Sequence, residues 1–210
     1  MRKIKVAMIS VLVTVMSIVP VFASSDSPSQ EDQTAISKFA VIFHPLGFLQ
    51  FGPIIGVQVG LKDDLAVEAH VRLASLGLVS QLVREHDDGL DEFSAFAFGG
   101  GPVYFFGRAQ NKPDLGLLLE YETAKMLYGR DEKYEWWETH KTVAFFSNFG
   151  YRFRFEGGLF INTGLSVGAA RTKWEFDFSD PAFVPSKEKT KTGTVTTPFG
   201  FIEVSAGIEF

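Results

Sequence analysis

The sequence ends on the stretch GFIEVSAGIEF, Gly200 to Phe210, and this stretch decides the fold. Every second residue from Ile202 to Phe210 is apolar, while the residues between them are small or acidic. Side chains alternate between the two faces of a β-strand, so this pattern predicts a strand with one apolar and one polar face. The chain is therefore predicted to end on an amphipathic strand closed by an aromatic side chain.

The same alternation recurs upstream and predicts about eight strands. They are Phe39–His44, Ile54–Leu61, Leu65–Ala74, Phe93–Phe106, Leu115–Tyr128, Thr142–Phe155, Leu159–Trp174 and Gly200–Phe210. The run Gly99-Gly100-Gly101-Pro102 predicts a bulge or bend in the fourth strand. The connections alternate between short turns and long polar loops, which is typical of barrels that cross an outer membrane. The sequence thus predicts an all-β fold, a closed antiparallel up-and-down transmembrane β-barrel.

Composition limits the function classes. The chain has 210 residues with 22 Phe and 20 Gly, which favours β-structure with large side chains on one face. The net charge of −5, with both signs interspersed, argues against a nucleic-acid partner. Cysteine is absent, which excludes disulfides, thiolate metal sites and a lipidated cysteine.

The N-terminal segment predicts export. Met1–Lys5 is positively charged, Val6–Val19 is apolar, and Ala23 is the small residue expected before cleavage. The apolar run is shorter than the roughly 20 residues of a membrane span. We therefore predict a signal peptide over 1–23, a flexible polar tail over 24–37 and a barrel domain over 38–210.

Alternation alone leaves open which face of the sheet points inward. In a membrane barrel the apolar face meets lipid, whereas in a soluble, lipocalin-like barrel it forms the core. The polar face carries many glycines, among them Gly56, Gly116 and Gly164, which suits the narrow lumen of an eight-stranded barrel. The apolar face ends in aromatic residues such as Tyr151 and Phe210, as expected at a membrane interface. Both observations favour the membrane barrel.

On this interpretation a polar network fills the lumen. Its predicted members are Glu68, His70, Arg72, Glu120, Glu122, Asn148, Arg152, Arg154 and Glu203. Buried charges must be paired, and the sequence offers Glu68 with Arg72, and the two glutamates of strand five with the two arginines of strand six. A gated polar conduit is the alternative to a structural plug, which the narrow barrel favours.

The remaining candidate chemistry lies in predicted loops. The residues that could contact an outside partner are Tyr134, Trp136, Trp137, Lys187, Lys189 and Lys191. The aromatic set suits a recognition surface or an interfacial anchor, and the lysines suit lipopolysaccharide phosphates, although a hairpin extending into solvent explains the same Lys/Thr alternation. None of the four histidines has a serine at a spacing that would suggest a catalytic Ser–His pair. The sequence therefore predicts neither catalysis, nor a metal site, nor a cofactor.

The signal Met1–Ala23, the alternating strands and the terminal pattern Val204-x-Ala206-x-Ile208-x-Phe210 resemble small outer-membrane barrels of the OmpA-transmembrane, OmpX and OmpW type. The terminal pattern resembles the β-signal read by the barrel-assembly machinery. The resemblance implies a porin-like cell-envelope protein in a Gram-negative-type outer membrane, reached through the periplasm. It implies as partners outer-membrane lipid, lipopolysaccharide as a candidate, and the assembly machinery during insertion. It implies no activity.

Three functions stay open from the sequence. The favoured one is a monomeric outer-membrane barrel with a filled lumen and a structural or loop-mediated role, without catalysis. The second is a narrow channel, or a transporter or binder of small hydrophobic molecules. The third is a soluble secreted barrel that binds an apolar ligand.

Overall fold

Eight β-strands form the molecule, seen here in a computed structural model that describes residues 39–48, 52–74, 90–107, 110–129, 136–178 and 190–210. They are β1 (Phe39–His44), β2 (Ile54–Lys62), β3 (Leu65–Arg72), β4 (Leu90–Phe105), β5 (Lys112–Tyr128), β6 (Trp136–Arg154), β7 (Leu159–Phe178) and β8 (Thr190–Glu209). Short 3-10 turns occupy Pro45–Phe48 and Glu156–Gly158. The predicted signal peptide and polar tail lie outside the described residues. The described part of the chain contains no helix long and apolar enough to cross a membrane.

The strands close into a ring in which each one pairs antiparallel with its neighbours in sequence. The ring closes between β1 and β8, where Ala40 lies opposite Glu209 and Phe43 opposite Ala206. At the end of the chain, the backbone N–H of Phe210 donates to the carbonyl of Phe39 at 2.9 Å. The predicted all-β, closed, up-and-down antiparallel barrel is confirmed.

The connections differ between the two ends of the barrel. One end, here called the turn end, carries both termini of the barrel and the short connections at 63–64, 106–111 and 155–158. Gly157 and Gly158 have φ of 76° and 81°, and a Cβ on Gly158 would lie 2.5 Å from the carbonyl oxygen of Glu209. Only glycine fits this tight turn. The other end, the loop end, carries the connections at 45–53, 73–89, 129–135 and 179–189.

The strands toward the C-terminus extend further at the loop end than the sequence predicts. β6 begins at Trp136 rather than Thr142, β7 ends at Phe178 rather than Trp174, and β8 begins at Thr190 rather than Gly200. The prediction relied on apolar alternation, which ends where the outer face becomes polar, whereas threonine and aromatic pairs continue the ladder. β5 to β8 therefore have 17, 19, 20 and 20 residues, against 6, 9 and 8 in β1 to β3.

Aromatic contacts stabilise this extension. Tyr128 stacks on Trp136 with ring centroids 4.0 Å apart and planes 4° from parallel. Trp136 in turn lies 5.4 Å from Phe176. The Trp174 ring covers the opposite backbone, since a Cβ on Gly193 would lie 2.1 Å from it. Cross-strand aromatic pairs of this kind stabilise a sheet outside the packed barrel.

The predicted bulge at Gly99-Gly100-Gly101-Pro102 is wrong. This run pairs with β3 without interruption, and its register with β5 is the same before and after it. The register shift in β4 lies instead between Leu90 and Glu92. The glycines have another role, because a Cβ on Gly99 would lie 2.6 Å from the carbonyl oxygen of Leu119 and 2.9 Å from Nε2 of His70. Gly99 thus leaves room for the His70 side chain on the inner face, and Gly100 and Gly101 allow close approach of the neighbouring strands.

The two faces of the barrel have opposite polarity. Large apolar side chains point outward and are exposed, for example Leu119 (56 %), Phe145 (56 %) and Ile202 (63 %). Buried polar and charged side chains point inward, for example Gln58 and Arg152, at 2 % and 1 % exposure. The apolar residues that are buried form several separate small clusters on the inner face. The lumen thus holds the polar groups, and it is the candidate site.

Candidate functional site in the barrel lumen

Strand alternation brings all nine residues of the predicted polar network to the inner face. Glu68, His70, Glu120, Asn148 and Arg152 are buried. Arg72, Glu122, Arg154 and Glu203 are half-buried. Together they form three layers, one toward the loop end, one in the middle and one at the turn end.

The loop-end layer centres on Arg72 and Glu120. The Arg72 guanidinium donates through Nε to Glu120 at 3.2 Å and through Nη2 to Glu122 at 2.8 Å, and it also pairs with the second oxygen of Glu120. Nε2 of His70 lies 3.2 Å from Glu120, and its Nδ1 lies 3.4 Å from Glu68 in a misaligned contact. This layer therefore joins β3 to β5 across β4.

This pairing differs from the pairs that the sequence suggested. Glu68 and Arg72 are four residues apart on one strand, a distance of about 13 Å along the chain, and do not meet. Arg72 instead reaches two strands away, because β4 presents only Ala97 and Gly99 in between. The arginines of β6 lie at the opposite end of the barrel from Glu120 and pair with Glu209 instead.

The middle layer centres on Glu203. Asn148 and the Ser166 hydroxyl both donate to the Glu203 carboxylate, the latter at 3.1 Å, and Asn148 also donates to Ser166 at 3.1 Å. Nδ1 of His44 lies 3.2 Å from the other oxygen of Glu203. These contacts link β1, β6, β7 and β8 near the seam where the barrel closes.

The turn-end layer is a plug built around Arg152. Its guanidinium lies between two rings, 4.5 Å from the centroid of Phe105 and 4.1 Å from that of Phe160. Arg152 and Arg154 both donate to the same oxygen of Glu209, at 3.1 to 3.2 Å. Nζ of Lys112, a side chain that is also fully buried, lies over the Phe105 ring at 6.0 Å from its centroid. Aromatic rings and ion pairs thus fill the barrel at this end.

Between the plug and the middle layer lies a group of imperfectly satisfied polar atoms. Both side-chain polar atoms of Gln58, Oδ2 of Asp114 and Oδ1 of Asn162 are buried without a hydrogen-bond partner. They border a space of only about 10 Å³. The plug is therefore tightly filled but costs the fold some unpaired polar groups.

The loop-end half of the lumen contains a cavity of about 300 Å³. The charged residues of the loop-end and middle layers form one wall. The other wall is apolar and includes Leu118, Ala144, Phe146, Ala170, Phe199 and Phe201. The rings of Phe199 and Phe201 stack at 6.0 Å, and both lie about as far from the ring of Phe146. The expected filling of the lumen therefore does not extend to this half.

The cavity also reaches the closing seam. Ile202 and Val204 line it although their positions on β8 belong to the outer face. The pairing of β1 with β8 ends at Phe43 and Ala206, before these residues. The cavity thus extends to the edge of β8 beyond the last β1 pair.

Of the residues predicted to make loop contacts, some lie in strands and others lie outside the described residues. Trp136 and Trp137 lie in β6 and Lys191 lies in β8 opposite Phe176, so their assignment to loops is wrong. The alternative of a hairpin extending beyond the barrel describes Lys191 correctly. Tyr134, Lys187 and Lys189 lie outside the described residues. The terminal set Val204, Ala206, Ile208 and Phe210 occupies outer-face positions at the end of the chain, and its role in assembly stays a prediction.

The sequence prediction missed two buried residues of the plug. It places Lys112 and Asp114 in a turn, because Pro113 follows Asn111 and Lys112. In the structure Pro113 faces outward on β5 opposite Tyr151, and its neighbours point inward. Asp114 and Lys112 lie two and four residues before Gly116, which is on the inner face. Because side chains alternate along a strand, this spacing could have placed both on the inner face.

Each histidine that the structure describes lies beside a carboxylate. Besides the pairs above, His140 contacts Glu138 on the same strand. His86 lies outside the described residues. Within the described ranges, no group of three or more His, Cys, Asp or Glu side chains is placed to hold a metal ion.

Comparison with known proteins identifies a fold and no family. No protein-family model matches the chain, and no curated protein matches it in sequence. Among solved structures, the chain is similar to a major outer membrane protein from Thermus thermophilus, with a TM-score of 0.50 and 11 % identity. The match covers 83 % of this chain and 99 % of that one. It agrees with the closed antiparallel barrel and, at this identity, shows the fold alone.

Proposed function

We propose that the chain is an outer-membrane β-barrel that spans the lipid with all eight strands. One observation carries the proposal, namely that a band of exposed apolar side chains surrounds a closed ring whose buried charged residues are inside. A closed barrel satisfies every backbone group between its strands, which is what a lipid environment requires. The structural likeness to an outer membrane protein supports the same location.

The soluble, lipocalin-like alternative conflicts with this polarity. Such a barrel would bury its apolar face and leave the charged face in water. Here Arg152 and Glu120 are inside, while Phe145, Phe149 and Ile202 are exposed. Transferring these apolar side chains from water to lipid is favourable, and leaving them in water is not.

On this proposal the barrel has a structural role, and its lumen does not conduct water or solutes across the membrane. The plug around Arg152 and the 10 Å³ space beside it leave no aqueous path between the described residues of the turn end. No catalytic step is proposed, since the charged groups of the lumen are engaged with one another. Contacts with partners would then fall to the loop end.

Fractionation and conductance test these points. The protein should be recovered in the outer-membrane fraction, need detergent for extraction, and migrate faster on gels before heating than after. Recovery in the soluble fraction would refute the location. In planar bilayers the protein should show no steady conductance. A steady wild-type conductance that falls in Arg152→Ala, but not in the turn-end control Lys62→Ala, would refute the closed lumen.

The cavity favours a second candidate function, the binding of a small, partly apolar molecule in the loop-end lumen. Its volume of about 300 Å³ is at the lower end of small-molecule sites, and it combines an apolar wall with a few polar groups. Both features suit a ligand of roughly one aromatic ring with a polar substituent. The approach of the cavity to the β1–β8 seam offers such a ligand a route from the lipid.

Two neighbouring alanines allow a matched test of this candidate. Ala170 lines the cavity, while Ala169 faces outward on the same strand. With 4-fluorobenzyl alcohol as the probe and the protein in nanodiscs, fluorine NMR should detect a bound signal in the wild type and in Ala169→Phe. Ala170→Phe, which fills the cavity, should lose it. Equal signals in both variants would exclude the cavity as the site.

A second measurement tests whether the ligand enters along the β1–β8 seam. Val204→Trp narrows the edge of the cavity, so it should slow exchange of the probe while leaving the amount bound at saturation unchanged. Val167→Trp, on the outer face of β7, is the control and should leave the exchange rate as it is. Unchanged exchange in Val204→Trp would show that the probe enters elsewhere.

A further inference from the structure

Four basic side chains form a cluster on the outer face of β5, β6 and β7. They are Lys125, Lys141, Arg171 and Lys173, here called the basic cluster, and all four are exposed. Each has the outward parity of its strand, shared with exposed apolar residues such as Leu119, Phe145 and Val167. The cluster is thus on the outer wall and separate from the lumen.

The strand register brings these charges close together. Lys141 lies directly opposite Lys173, and Arg171 lies opposite Val143, two residues from Lys141. Lys125 lies opposite Thr139, which makes it a diagonal neighbour of Lys141. Directly opposite residues have Cβ atoms about 5 Å apart and diagonal ones about 7–8 Å. Like charges in such positions repel and destabilise the sheet.

Within the described parts of the chain, no carboxylate forms an ion pair with the basic cluster. The register with β8 places Thr194 beside Lys173 and Thr196 beside Arg171, and both threonines are uncharged. Two carboxylates on this face are close by register. Glu175 on β7 is a diagonal neighbour of Lys141, and Glu92 on β4 is a diagonal neighbour of Lys125. These carboxylates offset part of the repulsion. Within the described ranges, neither forms an ion pair with the cluster or lies directly opposite one of its residues, so Lys141 and Lys173 still face each other directly.

The basic cluster begins where the apolar wall ends. On β6 the outward residues change from Phe145 and Val143 to Lys141, and on β7 from Val167 through Ala169 to Arg171. In a barrel that spans a membrane, this border is the level of the lipid headgroups on the loop side. Phosphate groups of lipids lie at that level.

We propose that the basic cluster binds the phosphate groups of an anionic lipid headgroup in the outer leaflet, an inference that rests on the proposed membrane location. A phosphate between Lys141 and Lys173 replaces their repulsion by two charge-assisted contacts, and Arg171 adds a planar fork suited to phosphate oxygens. The sequence suggested lipopolysaccharide contacts at Lys187, Lys189 and Lys191. Lys191 has the inner-face parity of β8, so the basic cluster is the better-placed surface.

The experiment compares stability and lipid binding across lipids that differ only in phosphate. Wild type, Lys141→Gln/Lys173→Gln and the turn-end control Lys62→Gln are placed in phosphatidylcholine nanodiscs, alone or with a phosphorylated glycolipid or its dephosphorylated form. Retention of the glycolipid is measured by native mass spectrometry, and stability by urea unfolding. Heat-dependent gel migration checks that each variant has folded.

We expect the stability difference between the wild type and the double variant to change sign when the phosphorylated glycolipid is added. Without the phosphorylated glycolipid, in zwitterionic phosphatidylcholine, the double variant should be at least as stable as the wild type, because the lysine repulsion is gone. With it, the wild type and the control should gain stability and the double variant should not. Each basic residue near a membrane surface changes lipid binding about fivefold, so retention should fall roughly 30-fold in the double variant.

Three outcomes would overturn the inference. One is equal retention of the phosphorylated and dephosphorylated glycolipids by the wild type. Another is equal retention by the double variant and the control. The third is full stabilisation of the wild type by inorganic phosphate alone, which would replace the lipid by a soluble anion as the source. A wild type that folds but never enters the nanodisc would instead refute the membrane location.

Discussion

Replacing Arg152 tests whether the turn-end plug stabilises the barrel through its rings or through its ion pair. Arg152 is 1 % exposed and interacts with the Phe105 ring, the Phe160 ring and the Glu209 carboxylate. Breaking a buried ion pair by removing one partner costs about 3–5 kcal/mol. Glu209 keeps Arg154, which lowers this figure, but removing a desolvated cation from an aromatic ring adds up to about 2 kcal/mol for each ring. We expect Arg152→Ala to lower the free energy of unfolding by about 4 kcal/mol.

Two further variants separate the contributions. Arg154→Ala removes the other donor to Glu209 and leaves the guanidinium between the Phe105 and Phe160 rings in place. It should therefore cost about 1.5–3 kcal/mol, the value of hydrogen bonds to a charged group. Arg152→Met keeps most of the volume between the two rings and leaves Glu209 paired with Arg154. Met loses the cation–π contacts but keeps most of the packing, so this variant should cost about 2 kcal/mol, roughly half the cost of Arg152→Ala.

The assay is reversible urea unfolding in lipid vesicles, followed by tryptophan fluorescence, with the folded fraction checked by heat-dependent gel migration. The slope of the free energy with urea should be the same in all variants if the folded barrel is intact. A cost for Arg154→Ala equal to or above that for Arg152→Ala would refute the reasoning, because the rings would then contribute nothing. So would a loss of about 4 kcal/mol in Arg152→Met, because the packing of the side chain against the two rings would then contribute nothing.

Three other predictions concern single positions. Gln58→Leu should raise the free energy of unfolding by about 1 kcal/mol in the same urea assay, because both of its buried polar atoms lack partners; a loss of stability would show that they are satisfied. Gly99→Ala should destabilise by about 2 kcal/mol or more, since its Cβ meets Leu119 and His70, whereas Gly116→Ala, with nothing nearer than 3.5 Å, should change little; equal effects would refute the role assigned to Gly99. Deleting Phe210 should reduce the folded, heat-modifiable fraction in cells far more than Phe155→Ser, an exposed Phe at the same end; normal insertion without Phe210 would refute the assembly role.

The faces of the strands were predictable because a side-chain period of two has only two phases. Once Ile202 and Phe210 are placed outside, Glu203 must be inside, and the same holds for every strand with unbroken alternation. The strand ends were less predictable. Apolar alternation marks only the part of a strand whose outer face is apolar, so it missed the first ten residues of β8, where threonines and Lys191 continue the ladder beside Trp174.

The interactions within the lumen could not be predicted, because they depend on how the strands are staggered around the barrel. Sequence spacing suggests that Glu120 and Arg152 sit on adjacent strands, and they do, but at opposite ends of the lumen. Arg72 reaches Glu120 only because Gly99 leaves room on the strand between them. The cavity is equally hidden from the sequence, since it depends on which small and large inner side chains meet at one height.

The unequal strand lengths explain why the cavity and the closing seam coincide. β1 has 6 residues and β8 has 20, so β8 continues far beyond its last pair with β1 at Ala206. Beyond that point β1 no longer covers the edge of β8 at Val204 and Ile202, and these outer-face residues border the lumen. At the turn end β1 and β8 are paired, and the plug fills the space inside. On the proposed membrane location, a molecule that partitions into lipid would reach the cavity through the side of the barrel, beside the Pro45–Phe48 turn that contacts β8 and without passing the plug. This geometry favours a small apolar molecule as the occupant, and slower probe exchange in Val204→Trp is the result that distinguishes entry through the side of the barrel from entry at the loop end.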